Sequence, residues 1–236
     1  MNLEILWEGN LPLERIQWGT TSSAEYILPK ELDQKRKEHW KEHVSKNPND
    51  YDGKLLFLED FRIVGDRLIL DIQIIRFSTV IFMEQEKLKI NEGFGMLGTQ
   101  CMIFAPNKEY ILVGERPFSS SYYPGCTTVP GGMLEDSDLQ NEPKKALMRE
   151  IHEEVPFNLE STFNLIAILH GWNNVSITFL TSNGIQGITD FDSSAQFPGD
   201  ENEWESGLRW ISEDQLIKMP SNRLMDGLIY FRSKIM

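Results

Sequence analysis

At 236 residues the chain is long enough for one substantial core, or for a catalytic domain with a smaller appended module. Its formal net charge of -13 repels nucleic-acid backbones and anionic lipid, which argues against nucleic acid or membrane as partner. A small phosphorylated molecule stays open, because a bound divalent cation can invert the local field. The two cysteines, Cys101 and Cys126, belong to no CxxC pair, so zinc-ribbon and thioredoxin-like readings have no support and free thiols in a reducing compartment are expected. The opening MNLEILWEGN lacks a basic start followed by a long apolar run, so no secretory signal is expected and a cytoplasmic setting is the default.

In chain order, residues 30 to 46 hold many helix formers and no Gly or Pro after Pro29, which predicts a solvated helix. The turn-rich NPNDYDG at 47 to 53 ends it. Lys54 to Leu58, Phe61 to Val64 and Arg67 to Ile75 read as strands, the last two joined by a Gly65-Asp66 turn. The most apolar segment, Leu68 to Met83, is interrupted by Asp71, Gln73 and Arg76 and reads as strands, not as a membrane span. Residues 1 to about 95 therefore read as a small α+β module, and 96 to 236 as a second domain. NEGFGMLG at 91 to 98 lacks the spacing of a dinucleotide loop and reads as a flexible connector. Beyond it, strands are expected at Leu97 to Phe104, Tyr110 to Gly114, Thr127 to Pro130, Leu165 to Leu169, Val175 to Leu180 and Leu208 to Ile211. Helices are expected at 142 to 155, from Ser212 onward, and at 221 to 235, giving an α/β order.

The informative segment is PGGMLEDSDLQNEPKKALMREIHEEVP, Pro130 to Pro156. On a helix, Glu150, Glu153 and Glu154 share an arc of about 100°, beside an apolar arc of Leu147, Met148, Ile151 and Val155. Three carboxylates on one face repel one another, and a divalent cation with hard oxygen ligands is the usual compensation. Arg149 stands beside them and can orient a carboxylate through a bidentate contact. The glycines of the preceding turn let backbone approach a ligand, and a carbonyl there can face a metal. Taken alone, EIHEE is more simply a solvated acidic face; strand, Gly-Gly turn, loop and carboxylate helix together are a far more specific signal.

These residues resemble the Nudix box: a glycine, five residues, Glu, seven residues, then Arg-Glu-apolar-x-Glu-Glu-x-Gly-apolar. Gly132 matches the opening glycine, and Arg149, Glu150, Ile151, Glu153 and Glu154 match the core. ILVGERP before the box and GLRWIS at 207 to 212 are similar to family strands. Three departures stand out: the loop after Gly132 is three residues longer, counting back from Arg149 puts Asn141 (next to Glu142) where the family has Glu, and Pro156 replaces the late glycine. In the family that Glu supports the arginine and the loop, so the resemblance leaves the metal site intact and its scaffold altered.

The resemblance implies an α/β/α sandwich with a mixed sheet. It implies Mg²⁺ (or Mn²⁺) on Glu150, Glu153 and Glu154, joined by a carbonyl of the Gly131-Gly132 turn. The implied reaction is attack of water on a diphosphate phosphorus, with Arg149 in the machinery and Glu153 or Glu205 as general base. The N-terminal module and the long loop are similar to the UDP-sugar diphosphatase branch, which implies UDP-glucose giving UMP and sugar 1-phosphate. ADP-ribose, dinucleoside polyphosphates and a catalytically silent nucleotide binder are the alternatives. Any such substrate needs a cation for its phosphates and an aromatic for its base, for which Arg116, and Phe77 or Tyr123, are candidates. Thr128 is a further pocket candidate, His170 stands near the expected site, and His152 reads as surface.

Overall fold

The computed structural model describes all residues except 1–2, 49, 89–93, 121, 156–162, 172–175, 185–191, 199–203 and 206, and describes backbone alone at 22–23, 176–179 and 181–184. The chain begins with two strands that sequence patterning did not mark, β1 (Glu4–Pro12) and β2 (Ile16–Glu25), joined by a 3-10 turn at Leu13–Arg15. Their side chains are mostly half-buried or exposed, which blurs the apolar alternation that would reveal a strand. Helix α1 (Lys30–Lys46) has the expected bounds, and Arg36 is its one buried residue. Strand β3 (Lys54–Val64) merges the two expected runs into one, with a register irregularity between Leu58 and Asp60, and turns through Gly65 into β4 (Arg67–Arg76).

The segment after β4 corrects the expectation of continuous strand. Residues Phe77–Gln85 form α2. Ser78, Val80, Ile81, Phe82 and Met83 are all buried, so the segment has no polar face to display a helical period. The helix start is capped from a distance, since Ser78 N donates to Asp52 Oδ1 (2.9 Å) and Phe77 N to the Gly53 carbonyl (3.0 Å). The connector reading also fails from residue 95 onward, where the glycine-rich stretch enters β5 (Gly95–Phe104), while residues 91–93 lie outside the described residues.

The remaining elements are β6 (Tyr110–Glu115), β7 (Thr127–Thr128), α3 (Pro143–Glu154), β8 (Asn164–Gly171), β9 (Ser176–Gly184), β10 (Gln196–Phe197), β11 (Leu208–Ser212), α4 (Glu213–Lys218) and α5 (Asp226–Ile235). Helix α4 carries a capping box, with Ser212 Oγ accepting from Gln215 N. A 3-10 turn at Ser221–Arg223 precedes α5, which therefore starts later than expected.

The described strands form one eleven-stranded sheet with a main path β1-β8-β9-β5-β3-β4-β2. Pairings β5 with β9 and β2 with β4 are parallel, and the others are antiparallel, so the sheet is mixed. Strands from either side of residue 95 share it: β1 pairs with β8, and β3 with β5. Alternate residues face opposite layers. Cys101, Ile103, Leu112 and Trp210 pack with Leu147 and Ile151 of α3, whereas Met102, Ile111, Val113 and Ile211 pack with Leu216 of α4 and Leu228 of α5. A sheet between two helical layers is the mixed α/β architecture expected. No helix among the described residues is long and apolar enough to cross a membrane.

Candidate active site

The site is built where β7 leaves the sheet. After Thr128 the chain runs as Pro130-Gly131-Gly132 alongside β5. Cys101 N donates to the Pro130 carbonyl (2.8 Å), Thr99 N to the Gly132 carbonyl (2.9 Å), and Leu134 N to the Leu97 carbonyl (2.9 Å). Gly131 has φ of +144°, and a Cβ there would strike the Thr99 carbonyl. A Cβ on Gly132 would strike the Glu150 carboxylate. The two glycines thus let one turn pass between β5 and α3 with no side chain intervening. From α3, Glu154 Oε2 accepts the Gly131 amide at 2.6 Å.

Arg149 organises the rest. Its Nε and one terminal nitrogen donate to the two oxygens of Asp138 at 3.0 and 2.9 Å, a bidentate contact. It also meets Glu150 Oε1 at 2.5 Å and Glu153 Oε2 at 3.1 Å. Asp138 is buried on a 3-10 turn, Asp136–Gln140, and also accepts the Glu135 amide at 2.9 Å. It supports the arginine, whereas the count back from Arg149 puts Asn141, next to Glu142, at the supporting position and so implies an altered scaffold. The Asn141 carbonyl accepts Trp18 Nε1 at 2.8 Å, and the exposed Glu142 flanks the start of α3. The signal was present: counting forward from Gly132, the residue after five others is Asp138. The three extra residues lie between it and Arg149, not before it. Pro156 lies outside the described residues.

Burial is the main influence on Glu150, pushing its carboxyl up to about 7, with help from the Glu153 and Asp138 charges and opposition from Arg149. The Arg149 guanidinium is held still more firmly charged than usual, first by its hydrogen bonds to Asp138, against the effect of burial. Ion pairing would lower Glu150, yet burial outweighs it.

These groups floor a cleft of about 440 Å³. Most of the candidates line it: Gly131, Gly132, Arg149, Glu150, Glu153, Glu154, Arg116, Thr128 and Phe77. Arg116 is fixed by donating to the Tyr122 carbonyl (2.9 Å) and Ser120 Oγ (2.8 Å), with its guanidinium 5.7 Å from the Tyr122 ring centroid. Two candidates stand elsewhere. Glu205 is exposed and outside the cleft lining, its amide bound to the Glu115 carbonyl at 2.8 Å. Tyr123 is buried, its hydroxyl donating to Asp226 Oδ1 at 2.8 Å. His152 is exposed as expected, and His170, bound to Glu4, is not part of the lining. Asp50, Tyr51 and Glu135 line the cleft and escaped sequence reasoning, because turn residues signal only a turn.

The NUDIX domain family matches residues 96–229, more than half of the chain and all of the elements that carry the glycine turn and the carboxylate helix. The chain belongs to the Nudix family. Solved structures resemble it at low identity. The MutT structure from Aliivibrio salmonicida and Vibrio cholerae has a TM-score of 0.41 at 17% identity, covering 59% of this chain and 98% of that one. The Nudix domain of Shewanella oneidensis NrtR, complexed with ADP-ribose, has a TM-score of 0.44 at 13% identity, covering 64% and 89%. A Caenorhabditis elegans Ap4A hydrolase binary complex has 0.40 at 15%, covering 59% and 96%. No curated protein matches the chain.

The cleft offers hard oxygen donors. Among the described residues no three His, Cys, Asp or Glu side chains converge into a ready metal cage. Glu150 and Glu154 nevertheless meet the same glycine turn, and Arg149 draws Glu153 aside. The donors suit Mg²⁺ or Mn²⁺ in kind. A divalent charge would also relieve the unfavourable burial of the Glu150 carboxylate.

Proposed function

We propose that this Nudix protein is a metal-dependent diphosphatase. Its substrate is a nucleoside diphosphate joined to another group, with a nucleotide sugar such as UDP-glucose as the first candidate, giving UMP and sugar 1-phosphate. ADP-ribose and dinucleoside polyphosphates are the alternatives. The carrying observation is the Gly131-Gly132 turn, met by Glu150 and Glu154 on the floor of the cleft. The cleft volume of about 440 Å³ falls within the usual range for small-molecule sites.

Glu150, Glu153 and Glu154, with the Gly131 carbonyl, would hold the cation. When bound it supplies neutralisation of the phosphate oxygens and a more acidic water. Asp138 keeps Arg149 in place, and Arg149 pairs with Glu150 and Glu153 and partly offsets their charge. Arg116, pinned by Ser120 and Tyr122, faces the diphosphate as a fixed cation. Thr128 and Gly132 border the phosphate path. Glu153, the most exposed of the three carboxylates at 58% of its side chain, takes the proton of the attacking water. The reading is tested by turnover on UDP-glucose, ADP-ribose and a dinucleoside tetraphosphate with Mg²⁺ and with Mn²⁺. Metal-dependent cleavage of one of them supports it and ranks the substrates. Binding without turnover on any would instead make the protein a nucleotide sensor.

A further inference from the structure

Three aromatic rings line the cleft: Tyr51, Phe77 and Tyr122. Tyr122 is buried, engaged by Arg116 on one side and edge-on to Tyr123 on another. Phe77 is half-buried, with its ring edge-on to Trp40 at 6.0 Å. Tyr51 is 65% exposed, an unusual state for a large ring at a cleft wall. It is not loose. Its hydroxyl donates to Glu135 Oε1, and its ring lies so close over Gly53 that a Cβ there would run into it. The adjacent Asp50 is anchored by His43 Nε2 at 2.6 Å. Glu135 begins the 3-10 turn that carries Asp138, so the ring is tied to the same loop that seats Arg149. The ring is held beside Gly53 along one edge, and its exposed part borders the cavity. A flat, pre-positioned, accessible ring is what a nucleobase stacks on, because the ordering cost has already been met in the free protein.

We propose that Tyr51, delivered by the connection between α1 and β3, is the platform on which the nucleobase of the substrate stacks. It thereby sets the preference for nucleosidic over other diphosphates. This rests on the diphosphatase reading above. Gly53 follows from the same geometry, since any larger residue would displace the ring. The Tyr51-Glu135 contact would also let the seated base steady the box loop.

The test uses calorimetric titration of the full chain in Mg²⁺ with the α,β-methylene analogues of UDP and ADP, and with methylenediphosphonate, which has the same bridge and no nucleoside. Tyr51→Ala is expected to weaken the better-bound nucleoside analogue by about ten-fold or more, the scale of one base stack, and to leave methylenediphosphonate unchanged. Tyr51→Phe, which keeps the ring and its place beside Gly53 but loses the tether, is expected to weaken the nucleoside analogue far less than Tyr51→Ala. Equal weakening of both ligand types in Tyr51→Ala would overturn the proposal and make the ring a prop for Glu135. Unchanged nucleoside affinity in Tyr51→Ala would also overturn it, with the diphosphate reading left standing. Failure of the native protein to bind any of the three would remove the diphosphate reading and this proposal together.

Discussion

Arg149 illustrates how single residues define the site. Its guanidinium is shared by Asp138, Glu150 and Glu153, yet only the buried Asp138 meets it through two hydrogen bonds. Asp138→Ala should cost about 2 kcal/mol in stability, the scale of hydrogen bonds to a charged group. It should also lower turnover about 10–100-fold, as loss of a supporting carboxylate does at metal sites. Denaturant melts and kcat check the two effects separately. A second residue gives a pH test away from the cleft floor. Asp226 is fully buried, with one oxygen bound by the Tyr123 hydroxyl and the other, against Gly171, without a hydrogen-bond partner among the described residues. Burial raises its pKa, against the Tyr123 hydrogen bond and the nearby His170. The folded state therefore holds this proton more tightly than the unfolded chain. The carboxyl's contribution to stability is present below the unfolded pKa and is lost as pH rises toward the folded one. Asp226→Asn keeps the acceptor for Tyr123 and cannot ionise. Its melting temperature relative to native should therefore rise from about pH 4 toward pH 8, and a pH-independent difference would refute this. The three glutamates, Arg149 and both glycines were singled out by helical spacing, the Gly-Gly turn and the resemblance to the Nudix box together. Asp138 was missed because the count ran backward across an insertion, and Tyr51 because nothing local distinguishes a platform from a turn residue.

At the scale of elements, α3 both packs and reacts. Its Ile151 is fully buried between the sheet and Leu147, so Ile151→Ala should destabilise by about 2–5 kcal/mol in denaturant melts. Gly132→Ala should act differently. Its Cβ would enter the Glu150 carboxylate, so turnover should fall while the melting temperature stays closer to native than in Ile151→Ala. Elements with strong local signals were the readable ones. Helix α1 kept its bounds, and α3 came within a residue of them, because their helix formers and apolar arc are local signals. Helix α2 was read as strand because its apolar run has no period and its cap, Asp52, comes from another loop. Strands β1 and β2 were not read at all, since they lie at the periphery of the sheet with mixed burial.

Across the whole molecule, the residues before the family match support the box directly. Leu56 N donates to the Leu134 carbonyl at 2.8 Å, Leu55 bridges Glu135, and Trp18 reaches Asn141. Leu56, Leu58, Leu68, Leu70 and Ile72 share one apolar cluster with α3. A chain starting at residue 96 is therefore expected to lose its cooperative melting transition by circular dichroism, and a native-like transition would show these contacts to be dispensable. No local pattern could announce them, because they join positions far apart in sequence. The decisive measurement is the rate of diphosphate cleavage by the native protein and by Glu154→Gln, each with Mg²⁺ and with chelator. Glutamine can still accept the Gly131 amide, so both proteins should melt alike. Native turnover should vanish in chelator and fall by about two orders of magnitude or more in the variant. Cleavage that survives either the chelator or the substitution would contradict a metal-dependent site built on α3.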